Sequence, residues 1–210
     1  MIPTHDLLIF AAACLALVLT PGPNMIYLIS RSILQGSRAG ITSLGGVVVG
    51  FLCHMLAASL GLSAVLLAVP LAYVALKLAG AAYLLWMAWQ AVRPGSRSPF
   101  EVRDLKRDSS RKLFQMGFLT SVLNPKIAVF YLALLPQFVK LEHGPVLVQS
   151  VALGLTQILI SFTVNLLIVL SAARVAAFFS SRPTWLKVQK YLMGAVLGGL
   201  AVRLALEESR

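Results

Sequence analysis

The sequence predicts an all-α polytopic membrane protein with six transmembrane helices, built as two inverted three-helix repeats whose helices 1 and 4 are interrupted by proline motifs. Three observations predict it. The chain has 210 residues, 59% of them hydrophobic and 12% charged, where soluble domains carry about 25% charged residues. Its apolar residues gather into six runs, near 7–29, 43–69, 71–92, 113–139, 146–173 and 190–206; each is close to or above the ~17–25 residues that cross a hydrocarbon core. Two of the runs, the first and the fourth, are broken by proline at matching places, Leu19-Thr20-Pro21-Gly22-Pro23-Asn24 and Leu123-Asn124-Pro125-Lys126.

The first run is expected to stay as a helix and not to act as a signal peptide. Residues 1–6 hold no Lys or Arg, and the run ends in Thr-Pro-Gly-Pro, not in a small-residue cleavage site. The second run carries Gly45, Gly46, Gly50 and His54, the third Lys77, Trp86 and Trp89. The glycines suit close helix packing, Lys77 is within snorkelling range of an interface, and Trp86, Trp89 and Arg93 read as interfacial anchors. A polar segment with Pro94-Gly95-Ser96 and Ser98-Pro99 follows, marking a linker. Three units result: a first repeat over 1–92, a basic cytoplasmic linker over 93–112 and a second repeat over 113–210. The last run, 190–206, is the shortest.

Net charge is +11, and its placement is more informative than its size. Arg31 and Arg38 follow the first run, seven Lys and Arg lie in 93–112, and Arg174, Arg182, Lys187 and Lys190 follow the fifth; only Lys140 follows the fourth and none the second. The bias of positive loops toward the cytoplasm puts both termini outside. Charges that flank spans meet lipid headgroups, so nucleic acid is not an expected partner. Three spans before the linker reverse the orientation of those after it. An ungapped offset of 104 aligns Pro21 with Pro125, Tyr27 with Tyr131, Gly40 with Gly144 and Gly50 with Gly154. The third helices do not align at this offset and enter the repeat by topology alone.

Proline lacks a backbone donor and clashes with the preceding turn. Inside a membrane such a break is tolerated only where it is buried or lines a polar cavity. Asn124 is a good N-cap and Pro125 suits a first helical position, so the following half-helix offers free N–H groups to a carboxylate. Lys126 adds an ammonium near mid-span, where it needs a cavity or a partner. Thr20, Pro21, Gly22, Pro23 and Asn24 form the uncharged counterpart, whose freed carbonyls can take an ammonium or a water. In the fifth run Gln157, Ser161 and Asn165 recur at i, i+4 and i+8, one polar face. The expected substrate-binding set is therefore Lys126, Asn124, Pro125, Thr20, Pro21, Gly22, Pro23, Asn24, Ser161, Asn165 and the repeat-equivalent Tyr27 and Tyr131. His54 is either a packing residue or a proton carrier. Cys14 and Cys53 read as small buried residues. All seven acids, Asp6, Glu101, Asp104, Asp108, Glu142, Glu207 and Glu208, fall in tails or loops. Buried acidic relays, metal sites and cofactor motifs thus have no parts here.

These residues resemble the LysE/RhtB family of bacterial amino-acid exporters. The likeness is carried by Leu19–Asn24, the Gly36/Gly40 loop, Gly46/Gly50 with His54, Lys77 through Leu84 (KLAGAAYL) and Asn124–Phe138 (NPKIAVFYLALLPQF). The resemblance implies six spans in the inner membrane, efflux of amino acids or their derivatives by proton exchange, no cofactor, no enzymatic activity and room for a homodimer. Family members often carry an acid thirteen residues before the terminal Arg of helix 5. Counting back from Arg174 gives Ser161 in this chain, so coupling here would pass to His54 or to the substrate itself. A membrane scaffold without a transport cycle and a small-ion exporter are the competing readings.

Overall fold

The computed structural model describes residues 2–20, 22–68 and 107–180, with scattered positions between 78 and 93 and between 188 and 202. Pro21, Lys77, most of the linker and most of the third helix of each predicted repeat lie outside the described residues. Six α-helices and no strand occur among the described residues: α1 (Thr4–Leu19), α2 (Pro23–Gln35), α3 (Ser37–Ala68), α4 (Ser110–Val122), α5 (Pro125–Val129) and α6 (Val146–Ser180). The helix begun by α5 runs on through a π-helical turn, Phe130–Leu134, and a 3₁₀ turn, Leu135–Phe138.

The described residues of the two halves follow one plan. A helix pair bent at a proline break, by 54° for α1–α2 and 46° for Ser110–Val122 with Pro125–Phe138, precedes a long apolar helix. Ser37–Gly61 of α3 and Val146–Ala172 of α6 are each long and apolar enough to cross a membrane alone, and each bent pair is as a unit. The burial pattern fits lipid as solvent. On α6, Gln157 is 0% exposed and Leu159 is 67% exposed. Polar groups face inward because hydrocarbon offers them no hydrogen bond, while leucine outside costs nothing in lipid. The chain is thus a multi-pass membrane protein.

α3 is the central element and packs most extensively on α4 and α6. Its seam with α4 is made of glycine. A Cβ on Gly46 would meet the Phe114 carbonyl, and one on Gly117 the Ser43 carbonyl, so backbone touches backbone from both sides. Gly50 lies against Ser121 in the same seam. Small residues stabilise membrane helix pairs by this close approach, since no hydrophobic driving force acts between helices in lipid.

Polar latches tie the two ends of the bent α1–α2 pair to the second half. At the end of α2, Arg31 Nη1 pairs with Asp108 Oδ2 at 2.8 Å and Lys112 with Asp108 Oδ1 at 2.7 Å. Gln35 Nε2 donates to the Asp108 carbonyl, and the Asp108 N–H donates back to Gln35 Oε1. At the start of α1, Lys140 Nζ pairs with Asp6 at 2.8 Å. Gln149 holds the Lys140 backbone as Gln35 holds Asp108, accepting from the N–H and donating to the carbonyl.

Several local expectations change. Arg31 is inside α2, not in a loop, because the helix restarts at Pro23 and runs for 13 residues. Gly36, at φ +84°, is the whole connection to α3, and Arg38 already belongs to that helix. Asp6 is in the first turn of α1 and not in a tail. Cys14 is buried as expected, but Cys53 is exposed. Gly40 is helical while Gly144 turns the chain at φ +119° ahead of α6. Gly36 is its conformational equivalent, so the ungapped register lapses after the bent pairs.

Two outcomes follow from this packing. Gly117→Val should destabilise the protein by at least the ~1–3 kcal/mol of an overpacked site, because backbone and not a movable side chain blocks the new methyls; thermal unfolding in detergent measures it. The second concerns pH. The Lys112 hydrogen bond, aided by the Arg31 charge, holds the Asp108 carboxyl below its usual range against the opposing effect of partial burial. A lowered folded value means that the latch contributes fully above the ordinary carboxylate value of about 3.9 and is lost as pH falls through the folded one. The difference in thermal midpoint between the native protein and Asp108→Asn should therefore be flat from pH 8 to 5 and vanish only below about pH 4.

Candidate substrate site

The site grows out of what proline withholds. In an unbroken helix the Leu17 carbonyl would accept from residue 21, but Pro21 has no N–H. The chain leaves α1 with Thr20 at φ −68°, ψ 122° and passes through extended Gly22. It re-enters a helix at Pro23, the first position of α2, where a missing donor costs nothing. The Thr20 hydroxyl turns back onto the Ala16 carbonyl at 2.8 Å. The Leu17 carbonyl keeps a shared bond from the Thr20 N–H at 3.2 Å, and it and the Thr20 carbonyl both face the other half of the molecule.

The second break supplies their partner. Asn124 caps α5, its Oδ1 accepting from the Lys126 N–H at 3.1 Å, and Pro125 opens the helix. This places Lys126 so that its side chain crosses to the first break. Its Nζ donates to the Leu17 carbonyl at 3.0 Å and to the Thr20 carbonyl at 2.7 Å. The residue is 5% exposed, and among the described residues no carboxylate lies within ion-pair distance of it. Gly22 makes the approach possible: a Cβ there would stand 3.0 Å from Nζ and 3.1 Å from Cε.

Beside this tie is a cavity of about 20 Å³, lined by Leu17, Val18, Asn24, Met25, Phe51, Lys126, Ile127, Ser161 and Asn165. That is the space of about one water molecule. Its walls mix apolar side chains with an ammonium, two amides and a hydroxyl. Asn24 donates weakly to Ser121 Oγ at 3.4 Å, while its buried Oδ1 has no partner; the buried Asn124 Nδ2 has none either. Such groups are uncommon in folded proteins and mark places of strain or of ligand contact.

A second polar string leads away from the cavity. Asn165 Nδ2 donates to the Ser161 carbonyl at 2.7 Å, Gln157 Nε2 to Ser161 Oγ at 2.8 Å, and Tyr131 Oη to Gln157 Oε1 at 2.6 Å. Tyr131 is in the π-helical turn, a distortion frequent at functional sites. Its ring stacks on His54, with centroids 6.0 Å apart and planes at 11°. His54 Nε2 is 3.2 Å from the Ser121 carbonyl.

Of the residues singled out in the sequence, Thr20, Gly22, Asn24, Asn124, Lys126, Ser161 and Asn165 gather at the two breaks and the cavity. Pro23 and Pro125 are exposed at the starts of their helices, where they shape backbone and touch no cavity. Pro21 is outside the described residues. Tyr131 and His54 stand two and three contacts behind Ser161. Tyr27 is elsewhere, its Oη donating to the Leu113 carbonyl at 2.8 Å and its ring under Arg31 at 5.6 Å, in the latch at the end of α2. Two residues outside the expected substrate set belong to the network. Gln157 was visible as part of the polar stripe on α6; Ser121, one serine in an apolar run, carried no signal.

With this geometry in place, likeness to known proteins can be weighed. A family model described as LysE type translocator matches residues 15–208. The homoserine/homoserine lactone efflux protein of Salmonella typhimurium is 32% identical over 181 residues, covering 86% of each chain. The leucine efflux protein of Klebsiella pneumoniae is 26% identical over 202 residues, covering 96% of this chain and 95% of its own. An uncharacterized membrane protein of Vibrio cholerae is 28% identical over 204 residues, covering 96% and 97%. No solved structure matches the chain significantly.

Proposed function

The chain belongs to the family of LysE-type translocators, and from that premise we propose that it exports amino acids or close derivatives across the bacterial inner membrane by proton-coupled alternating access. It is a transporter and not an enzyme. The observation that carries the reading is the Lys126 tie: one buried ammonium joins the proline break of one half to the proline break of the other. In this reading Lys126 and the N-terminus of α5 receive the substrate carboxylate, and the α1–α2 break with Asn24, Ser161 and Asn165 receives the rest.

A cavity of about 20 Å³ is too small for any amino acid, so this conformation is read as the closed one between two open ones. The bends of 54° and 46° are the natural hinge lines, because backbone already without helical hydrogen bonds rotates at the least cost. Six spans in two inverted repeats, with both termini outside, place the two breaks near mid-membrane and make one the counterpart of the other. A homodimer is compatible with this arrangement and is not needed to complete the cavity. His54 is the candidate proton carrier, placed behind the cavity with its ring stacked on Tyr131.

Purified protein in liposomes loaded with a labelled amino-acid mixture tests the reading. A pH gradient should drive loss of at least one label. Lys126→Ala should lower that flux about tenfold or more, the scale of a lost charged hydrogen bond of ~1.5–3 kcal/mol, at unchanged protein abundance. Undiminished flux removes Lys126 from the site; no flux of any label favours a scaffold, and selective ion flux a small-ion exporter. His54→Gln separates coupling from binding. It should keep exchange of labelled for unlabelled substrate while abolishing the response to the pH gradient, and an unchanged response would assign coupling to another group.

A further inference from the structure

We propose that the carbonyl oxygens of Leu17 and Thr20, with Asn24 Oδ1, form an ammonium subsite that Lys126 occupies in this conformation and that the α-ammonium of the substrate takes over during transport. The proposal rests on the cavity being the transport site and names the group of the substrate that it recognises first. The geometry is that of a primary ammonium receptor. Both carbonyls are aimed at one nitrogen, at 3.0 and 2.7 Å. The Leu17 carbonyl has a lone pair to spare because Pro21 has no N–H to give it and the Thr20 N–H, shared with the Ala16 carbonyl, reaches it only at 3.2 Å. An –NH₃⁺ group has three donors. Two are used here, and Asn24, whose buried Oδ1 has no partner, lines the same cavity.

Lys126 Nζ and an α-amino nitrogen are the same chemical group, so an oxygen cage that holds one holds the other. The exchange keeps every charge partnered. The incoming ammonium takes the carbonyls, and the displaced Lys126, on a flexible four-carbon stem, swings to the carboxylate two bonds away on the same substrate. No bond is made or broken. Neither ammonium is left bare in the membrane, a condition costing several kcal/mol at mid-bilayer. Gly22 leaves the stem its path, since a side chain at that position would press on both Cε and Nζ. The required substrate is therefore a compound with a free primary amine and an adjacent acceptor for Lys126. N-acylated amino acids and simple carboxylic acids lack the first.

The test uses purified full-length Lys126→Ala, which removes the equivalent of n-propylammonium, and reads thermal midpoints. n-Propylammonium should raise the midpoint of the variant saturably, as a ligand of the folded state does, and leave the native protein unmoved. Tetramethylammonium, equally charged but without N–H donors, should do nothing to either. Should Lys126→Ala fail to fold, Lys126→Met keeps the stem out to Cε and the ammonium ion replaces the probe. Equal effects of both cations, or no effect of the amine on either variant, overturn the subsite. Lost efflux without amine binding also overturns it while leaving the exporter reading in place. Amine binding with undiminished efflux overturns it too, because a cage off the transport route takes no substrate.

Discussion

Everything at the centre of this molecule depends on one exchange of hydrogen bonds. Proline denies the Leu17 carbonyl its usual donor four residues on, so that it keeps only the shared Thr20 N–H at 3.2 Å, and an ammonium from the other half of the chain supplies the missing donor. Neither group is stable alone in a membrane. Freed carbonyls in hydrocarbon cost several kcal/mol each, and so does an unpartnered lysine. Together they satisfy one another, with Nζ contacts to residues 109 and 106 positions away in sequence. The two bent helices are thereby locked by a contact that needs no carboxylate. A salt bridge in its place would bind more tightly and would resist exchange; carbonyls hold an ammonium and can release it.

The surrounding packing makes that weak centre tolerable. The α3–α4 seam is rigid because Gly46 and Gly117 bring backbone onto backbone, and rigidity there fixes Ser121 against Asn24 and His54. The bent pairs are soft in comparison, since a break and a π-helical turn interrupt their hydrogen-bond ladders. Stiff seam and soft bends are divided between neighbouring elements, which is what movement about a fixed framework requires.

Much of this was legible in the sequence, for physical reasons that also explain what was not. Proline and glycine act through backbone chemistry, which depends little on tertiary context, so both breaks and the capping by Asn124 could be read directly. The Gln157/Ser161/Asn165 stripe was equally plain, because a polar face in lipid has nowhere to go but inward. Tyr27 sits apart from the cavity: its match to Tyr131 at an offset of 104 is a match of residue type. The structure gives one a π-helical turn beside His54 and the other an Arg31 latch. Cys53 was read as buried from its apolar character, but in a membrane apolar character does not separate inside from outside. Asp6 looked like a tail residue because the first apolar run begins just after it, at Leu7. Its partner Lys140 is 134 residues away, beyond any local pattern.

The placement of acids follows from the same physics and bears on coupling. Asp6 and Asp108, the two paired acids among the described residues, sit at opposite ends of the bent α1–α2 pair, each held by a lysine or arginine and by a glutamine-braced backbone. They close the ends of the pair; the middle contains an ammonium and neutral polar groups only. A carrier with a central carboxylate can trade a proton against a cation at that carboxylate. This chain has Ser161 on the wall of its cavity, and in the proposed exchange the charge traded there belongs to an ammonium. Whether the proton then travels through His54 or with the substrate, the proposed exchange makes the carbonyl pair at the α1 break the place where one cation gives way to another.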